Sequence, residues 1–371
     1  MKHLSQPQAV VLALWSFGMV LARSSGLTSV VHMIAQLTGQ KENNVRQRLR
    51  EWNRDRMDKR GSQRGLKRQE LDVTRCFGPL LRWVLTWWDP RDHRMMLAMD
   101  ATTLGDRYVV LAISVVYRAC AIPIAWKVFA FAGQTGWKAE WLALFGYFPQ
   151  IIPADWTVLV MADRGLYARW LFDAIRALGW HPFLRINANG LYRQAGASQF
   201  LPMSQLVTQP GRAWAERVTC FKYRPVEASL LVRWAEGYEH PWLILTDLWP
   251  EQAEIAWYGM RAWIECGFRH TKRGGWQWNQ TRMTDPARAA RQWLAISVAT
   301  LWVVSVGGQV DAALPASTLD PLPPDPSRPR SRSHPRLLSC FRLGIFAILS
   351  ALLKNKPLPR GSFHPCSRPF Y

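Results

Sequence analysis

The sequence predicts an α/β protein, a mixed sheet with covering helices, entered through a run of helices. Three observations predict it. Residues 95–104 are apolar around one aspartate, 108–117 are rich in Val and Ile, and 122–131 form a third such segment, all joined by short turns, the pattern of adjoining strands. Residues 157–161 (TVLVM) are a continuous apolar run, as in a strand buried on both faces, and lie between helical stretches at 137–148 and 168–178. A strand at 181–186 follows, giving the order β-β-β-α-β-α-β. The first 56 residues, by contrast, read as helices over 9–21, 27–37 and 43–56, with Ser5 or Gln6 opening the first and Gly39 ending the second.

The chain has 371 residues, about half of them hydrophobic, enough for one sizeable core with smaller modules. Its 47 Lys and Arg against 26 Asp and Glu give a net charge of +21. Such a surplus pushes a compact state apart unless a polyanion offsets it, and nucleic acid is the first candidate. The basic residues gather at both ends. Arg46, Arg48, Arg50, Arg54 and Arg56 stand on the third helix, and the tail beyond residue 320 is also basic. Short helices ending in a basic one fit a helix-turn-helix-like DNA-binding module, with an ordinary solvated helix face as the plainer reading. Six scattered cysteines without a Cys-x-x-Cys pair exclude a zinc ribbon and a disulfide framework and point to a reducing cytoplasm. The apolar runs at 9–22 and 293–308 are short of a bilayer span, so the second reads as a buried helix and no membrane is expected.

The organisation expected is a helical, basic module over 1–80 and the first part of the α/β core over 90–188. A mainly β insertion over 189–240 interrupts it, and the core resumes over 241–308 with a strand at 242–248, a long helix at 251–273 and an apolar helix at 289–306. A Pro/Arg-rich linker spans 309–336 and a basic tail 337–371, with one more helix at 337–353.

Two aspartates sit where packing disfavours them: Asp100 at the centre of an apolar strand and Asp163 at the end of another. A carboxylate beside a sheet core needs a cation or hydrogen-bond donors. Two on neighbouring strands make a site for a hard cation such as Mg²⁺ or Mn²⁺ as reasonable as a structural role. Downstream, Tyr258, Arg261, Glu265 and Lys272 fall within about 60° of arc on one helix, at Tyr-x2-Arg-x3-Glu-x6-Lys. Such a stripe suits a metal ligand flanked by groups that grip phosphates, while an exposed helix with an i,i+4 pair gives the same residues. The tryptophans at 257, 263, 276 and 278 read as core rather than as base-stacking groups.

These motifs together, Met99-Asp100-Ala101-Thr102, Met161-Ala162-Asp163-Arg164-Gly165 and the Tyr258/Arg261/Glu265/Lys272 spacing, resemble the insertion-sequence DDE transposases marked by the YREK signature, over about residues 95–305. The resemblance implies a ribonuclease-H-like core in which Asp100, Asp163 and Glu265 bind two Mg²⁺ ions, with Mn²⁺ able to substitute. It implies cut-and-paste transposition: cleavage at the inverted repeats of an element, then strand transfer into target DNA. Tyr258, Arg261 and Lys272 would hold phosphates near the cut end, and a tryptophan of the insertion, with Trp234, Trp242 and Trp249 as the candidates, would stack on a flipped base. It further implies double-stranded DNA as partner, a homodimer in the DNA complex and a cytoplasmic, nucleoid-associated location. A metal nuclease that does not join, and a DNA-binding remnant that no longer cuts, are the alternatives.

Overall fold

A computed structural model describes residues 3–59, 70–131, 136–313 and 338–364. The chain opens with three helices, α1 (Gln6–Ala22), α2 (Leu27–Thr38) and α3 (Glu42–Asn53). Ser5 caps α1 in a reciprocal box, its hydroxyl accepting from the Gln8 N–H while the Gln8 side chain accepts from the Ser5 N–H. Gly39, in the left-handed region, ends α2, and α3 buries Val45, Leu49 and Trp52 as expected. These helices share the main core: the Ser16 hydroxyl donates to the Ala295 carbonyl, and Arg291 donates to the carbonyl of Asn53 and to Asp55. A fourth helix, α4 (Thr74–Thr86), for which the sequence predicts no separate bounds, runs through Gly78 and Pro79 and buries Phe77, Leu80, Leu81 and Val84.

Among the described residues the sheet is mixed and has ten strands. In chain order these are β1 (Arg94–Leu104), β2 (Tyr108–Tyr117), β3 (Cys120–Ala130), β4 (Thr157–Ala162), β5 (His181–Arg185), β6 (Leu191–Gln194), β7 (Leu201–Pro202), β8 (Ala213–Cys220), β9 (Val226–Arg233) and β10 (Trp242–Thr246). Spatially they run β3-β2-β1-β4-β5-β10-β9-β8-β6-β7. β1, β2 and β3 pair antiparallel, and β1, β4 and β5 pair parallel through the crossover helices α5 (Lys138–Phe145) and α6 (Arg169–Ala177). β2 is buried along its whole length, as a strand covered on both faces must be.

Residues 189–240 are mainly β, but they are not set apart from the sheet. β9 pairs with β10, so the stretch extends the same sheet from its β5 side. A larger correction concerns the helix expected over 251–273. The chain instead makes 3₁₀ turns at Pro250–Gln252 and Ile255–Ala262, a short α-helix α7 (Trp263–Arg269) and a π-helical turn at His270–Gly274. A uniform 100° step per residue therefore does not hold across it, although Arg261 and Glu265 still meet. α7 lies directly on β3 because residue 267 is glycine: a Cβ there would come within 2.8 Å of the Ala121 Cβ.

The apolar run at 293–308 is part of a longer helix, α8 (Pro286–Ala312), capped by Asp285; its 27 residues are long and apolar enough to cross a membrane, unlike the run expected from sequence, but the rest of the chain buries most of it. Against it runs α9 (Cys340–Leu353), the helix expected in the tail. The two backbones touch: a Cβ on Gly307 would overlap the Cys340 carbonyl oxygen, and one on Gly344 would overlap that of Val303. The tail thus completes the core. The Pro/Arg-rich stretch at 315–335 lies outside the described residues.

Candidate active site

The pairing register brings the two aspartates level. β1 and β4 pair Ala98 with Met161, so Asp100 and the residue after β4, Asp163, each lie two residues beyond one pair. The Asp100 carboxylate accepts from the Ala101 N–H at 2.8 Å. Asp163 closes a turn on itself, its Oδ1 accepting from the Gly165 and Leu166 N–H groups at 3.0 and 3.2 Å. Those donors fix both carboxylates before any other group arrives.

Arg261 joins them to the third acid. Its Nη2 donates to Asp100 at 2.7 Å and to Asp163 at 3.3 Å, and its Nη1 donates to Glu265 at 2.5 Å. All three acids named from sequence thus meet around one guanidinium. Arg261 is 13% exposed and Glu265 58%, so the pairs grade from nearly buried to open. Burial pushes the Asp100 carboxyl up to about 6, against the pull of Arg261 and the Ala101 N–H, with Asp163 and Glu265 adding repulsion. For Arg261, burial works against the charge, but Asp100, Tyr258, Asp163 and Glu265 outweigh it and hold the group above its ordinary value.

The four acidic and basic groups open onto a cavity of about 520 Å³, which Thr102, Phe268, Arg269, Lys272 and Arg273 also line. Lys272 lines this cavity, and burial first, then Arg273, lowers its pKa. Arg269 and Arg273 are additions to the residues expected from sequence. A signal for them exists, since 261, 265, 269 and 273 form an i,i+4 series.

Tyr258 departs from expectation. It is 5% exposed, and its hydroxyl donates to the Ala162 carbonyl at 3.2 Å. Burial raises its pKa. It braces the end of β4, next to Asp163. The tryptophans at 276 and 278 are fully buried and Trp263 nearly so, in keeping with a core role. Of the three stacking candidates, Trp249 is 53% exposed with the Arg217 guanidinium 5.0 Å from its ring centroid, whereas Trp234 and Trp242 are half-buried.

Residues 143–302 match the family of transposase DDE domains. The match begins in α5 and ends in α8, so it takes in Asp163 and Glu265 and leaves Asp100 upstream. Among solved structures, the cryo-EM structure of a piggyBac transposase synaptic complex with hairpin DNA shares 8% identity and a TM-score of 0.35, over 55% of this chain and 47% of that one. The matched part is thus about half the length of that transposase. No curated protein matches the chain.

Proposed function

We propose that this protein is a DDE transposase with a ribonuclease-H-like core, which cleaves DNA at element ends and joins the freed ends to target DNA. The observation that carries the reading is the convergence of Asp100, Asp163 and Glu265 on one open cavity that Arg269, Lys272 and Arg273 also line. The transposase DDE domain match supports it, as does the order β-β-β-α-β-α-β with one acid on the first strand and another at the end of the fourth.

The donor set fits a hard divalent cation. Three carboxylates offer oxygen ligands only, and the group now among them is itself a cation. As they stand, no group of three or more His, Cys, Asp or Glu among the described residues is disposed to hold an ion, because Arg261 is interposed. Asp100, Asp163 and Glu265 would hold the metal, Mg²⁺ or Mn²⁺, which when bound activates water and stabilises a departing 3′ oxygen.

The chain's own groups do the rest. The Ala101, Gly165 and Leu166 N–H groups aim the strand carboxylates. Tyr258 fixes the end of β4 through Ala162. Arg261, once freed from the acids, offers a planar fork to a phosphate, and Lys272, Arg269 and Arg273 hold the strand as charges. The protein acts in this reading on double-stranded DNA, in the cytoplasm, as a dimer that pairs two ends. A second reading draws on the same ion pairs: a DNA-binding remnant whose acids stay neutralised by Arg261.

The test uses the DNA flanking the gene as substrate, with Mg²⁺ or Mn²⁺. The wild type is expected to cleave at the inverted repeats and join product to target. Asp100→Ala, Asp163→Ala and Glu265→Ala should each abolish cleavage and keep DNA binding. Cleavage without joining would reduce the protein to a nuclease, and binding without cleavage by the wild type would favour the remnant.

A further inference from the structure

Beside the acidic cavity lies a second one, of about 350 Å³, lined by Arg23, Arg273, Arg342, Gln277, Ile345 and Phe346 and by the backbone of residues 274–275. The three arginines come from three distant parts of the chain: the C-cap of α1, the π-helical turn after α7 and the first turn of α9. All three are exposed, no acidic residue lines the cavity, and none of the three forms an ion pair among the described residues. Three cations that line one cavity without an acidic residue make it a favourable place for an anion.

The floor beneath them is rigid. The Ser25 N–H donates to the Trp276 carbonyl at 2.6 Å, and the Trp276 N–H to the His270 carbonyl at 2.8 Å. The His270 ring stacks on Phe341 at 4.2 Å, and Trp276 meets Phe341 edge-on at 5.0 Å. The end of α1, the π-helical turn and α9 are thereby held together, which keeps the three arginine-bearing segments side by side. Arg23 and Gln277 both hold left-handed backbone, with φ of 47° and 51°, a conformation non-glycine residues adopt at small cost. Phe346, 46% exposed, offers an apolar ring at the rim. Arg273 lines both cavities, so a strand with one phosphate among the carboxylates has this pocket next along its path.

We infer that Arg23, Arg273 and Arg342 form a phosphate-binding pocket that takes the backbone of the DNA strand leaving the catalytic cavity. The inference rests on the reading of this protein as acting on DNA, and it assigns the α9 tail a share in holding the substrate.

The experiment measures binding of the full chain to a duplex of about 30 base pairs across a salt series, without divalent metal. In Arg273→Gln/Arg342→Gln the slope of log affinity against log salt should fall by about 2, near 0.9 for each phosphate no longer neutralised. Arg193→Gln/Arg212→Gln, at the opposite end of the sheet, removes the same charge as a control. An unchanged slope in the first pair, or an equal fall in both, would overturn the pocket. Asp100→Asn separates the two ideas: it should lose metal-dependent cleavage and keep the wild-type slope. A fall in slope together with a wild type that never cleaves would keep the pocket and remove the catalytic reading. Cleavage with an unchanged slope would do the reverse.

Discussion

The guanidinium of Arg261 stands 2.7 Å from the carboxylate of Asp100 and supplies the counter-charge for a strand acid that is only 17% exposed. The same nitrogen touches Asp163, and the other terminal nitrogen touches Glu265. Remove the arginine and three carboxylates face one another with nothing between them. Arg261→Met, similar in volume, should destabilise the metal-free protein by about 1–3 kcal/mol at pH 8. The loss should shrink at pH 5, because the Asp100 carboxyl, raised to about 6, is then protonated and needs no partner. Urea unfolding at the two pH values checks this; equal losses at both would show that Asp100 does not depend on Arg261.

Tyr258 tests the difference between bracing and gripping. Its hydroxyl is spent on the Ala162 carbonyl. Tyr258→Phe should therefore cost about 1 kcal/mol of stability, one net hydrogen bond, and leave the salt dependence of DNA binding unchanged. A flattened salt slope would restore the phosphate contact that the sequence spacing suggests.

His270 is a source of acid sensitivity. Burial against Phe341, with Arg269 and Arg342 adding repulsion, lowers its pKa to about 4 from an ordinary 6.5. The folded state thus holds the ring neutral where the unfolded chain would bind a proton. The stability this contributes is complete above pH 6.5 and is lost as pH falls toward 4, by up to about 3 kcal/mol. His270→Phe keeps the stack and should flatten the stability profile across that window. A variant with the wild-type slope between pH 6.5 and 4 would place the sensitivity elsewhere.

The crossing of α8 and α9 leaves no room for a side chain. Gly344→Ala sets a methyl inside the contact radius of the Val303 carbonyl oxygen, so the helices must separate. A loss of roughly 3 kcal/mol or more in thermal or urea unfolding is expected. Limited proteolysis should then release the tail, and an alanine variant as stable and as protease-resistant as the wild type would mean that α9 does not pack there.

Several of these features are legible in the sequence alone. The strand at 108–117 adopts the bounds its composition predicts, and Ser5 opens α1, because hydrophobic period and capping chemistry are local. Asp100 and Asp163 stand out because a carboxylate in an apolar strand is conspicuous in any fold. The helix expected at 251–273 fails for the same reason of locality. Its residues suit a helix, but docking Gly267 onto β3 and closing Trp276 onto His270 require tight and wide turns that no propensity encodes. α4 escapes a sequence reading because Gly78 and Pro79 outweigh, in a short window, the apolar face that burial rewards.

The sequence by itself determined the class of fold and singled out Asp100, Asp163 and Glu265 with Arg261 and Lys272, since each stands out by residue type and by spacing along the chain. Only the tertiary structure decided that Arg261 sits among the acids, that Tyr258 faces a backbone carbonyl, and that Arg23, Arg273 and Arg342 share one pocket. Those relationships join segments tens to hundreds of residues apart, and they are set by which faces bury together, a property of the whole packed chain and of no single stretch of it.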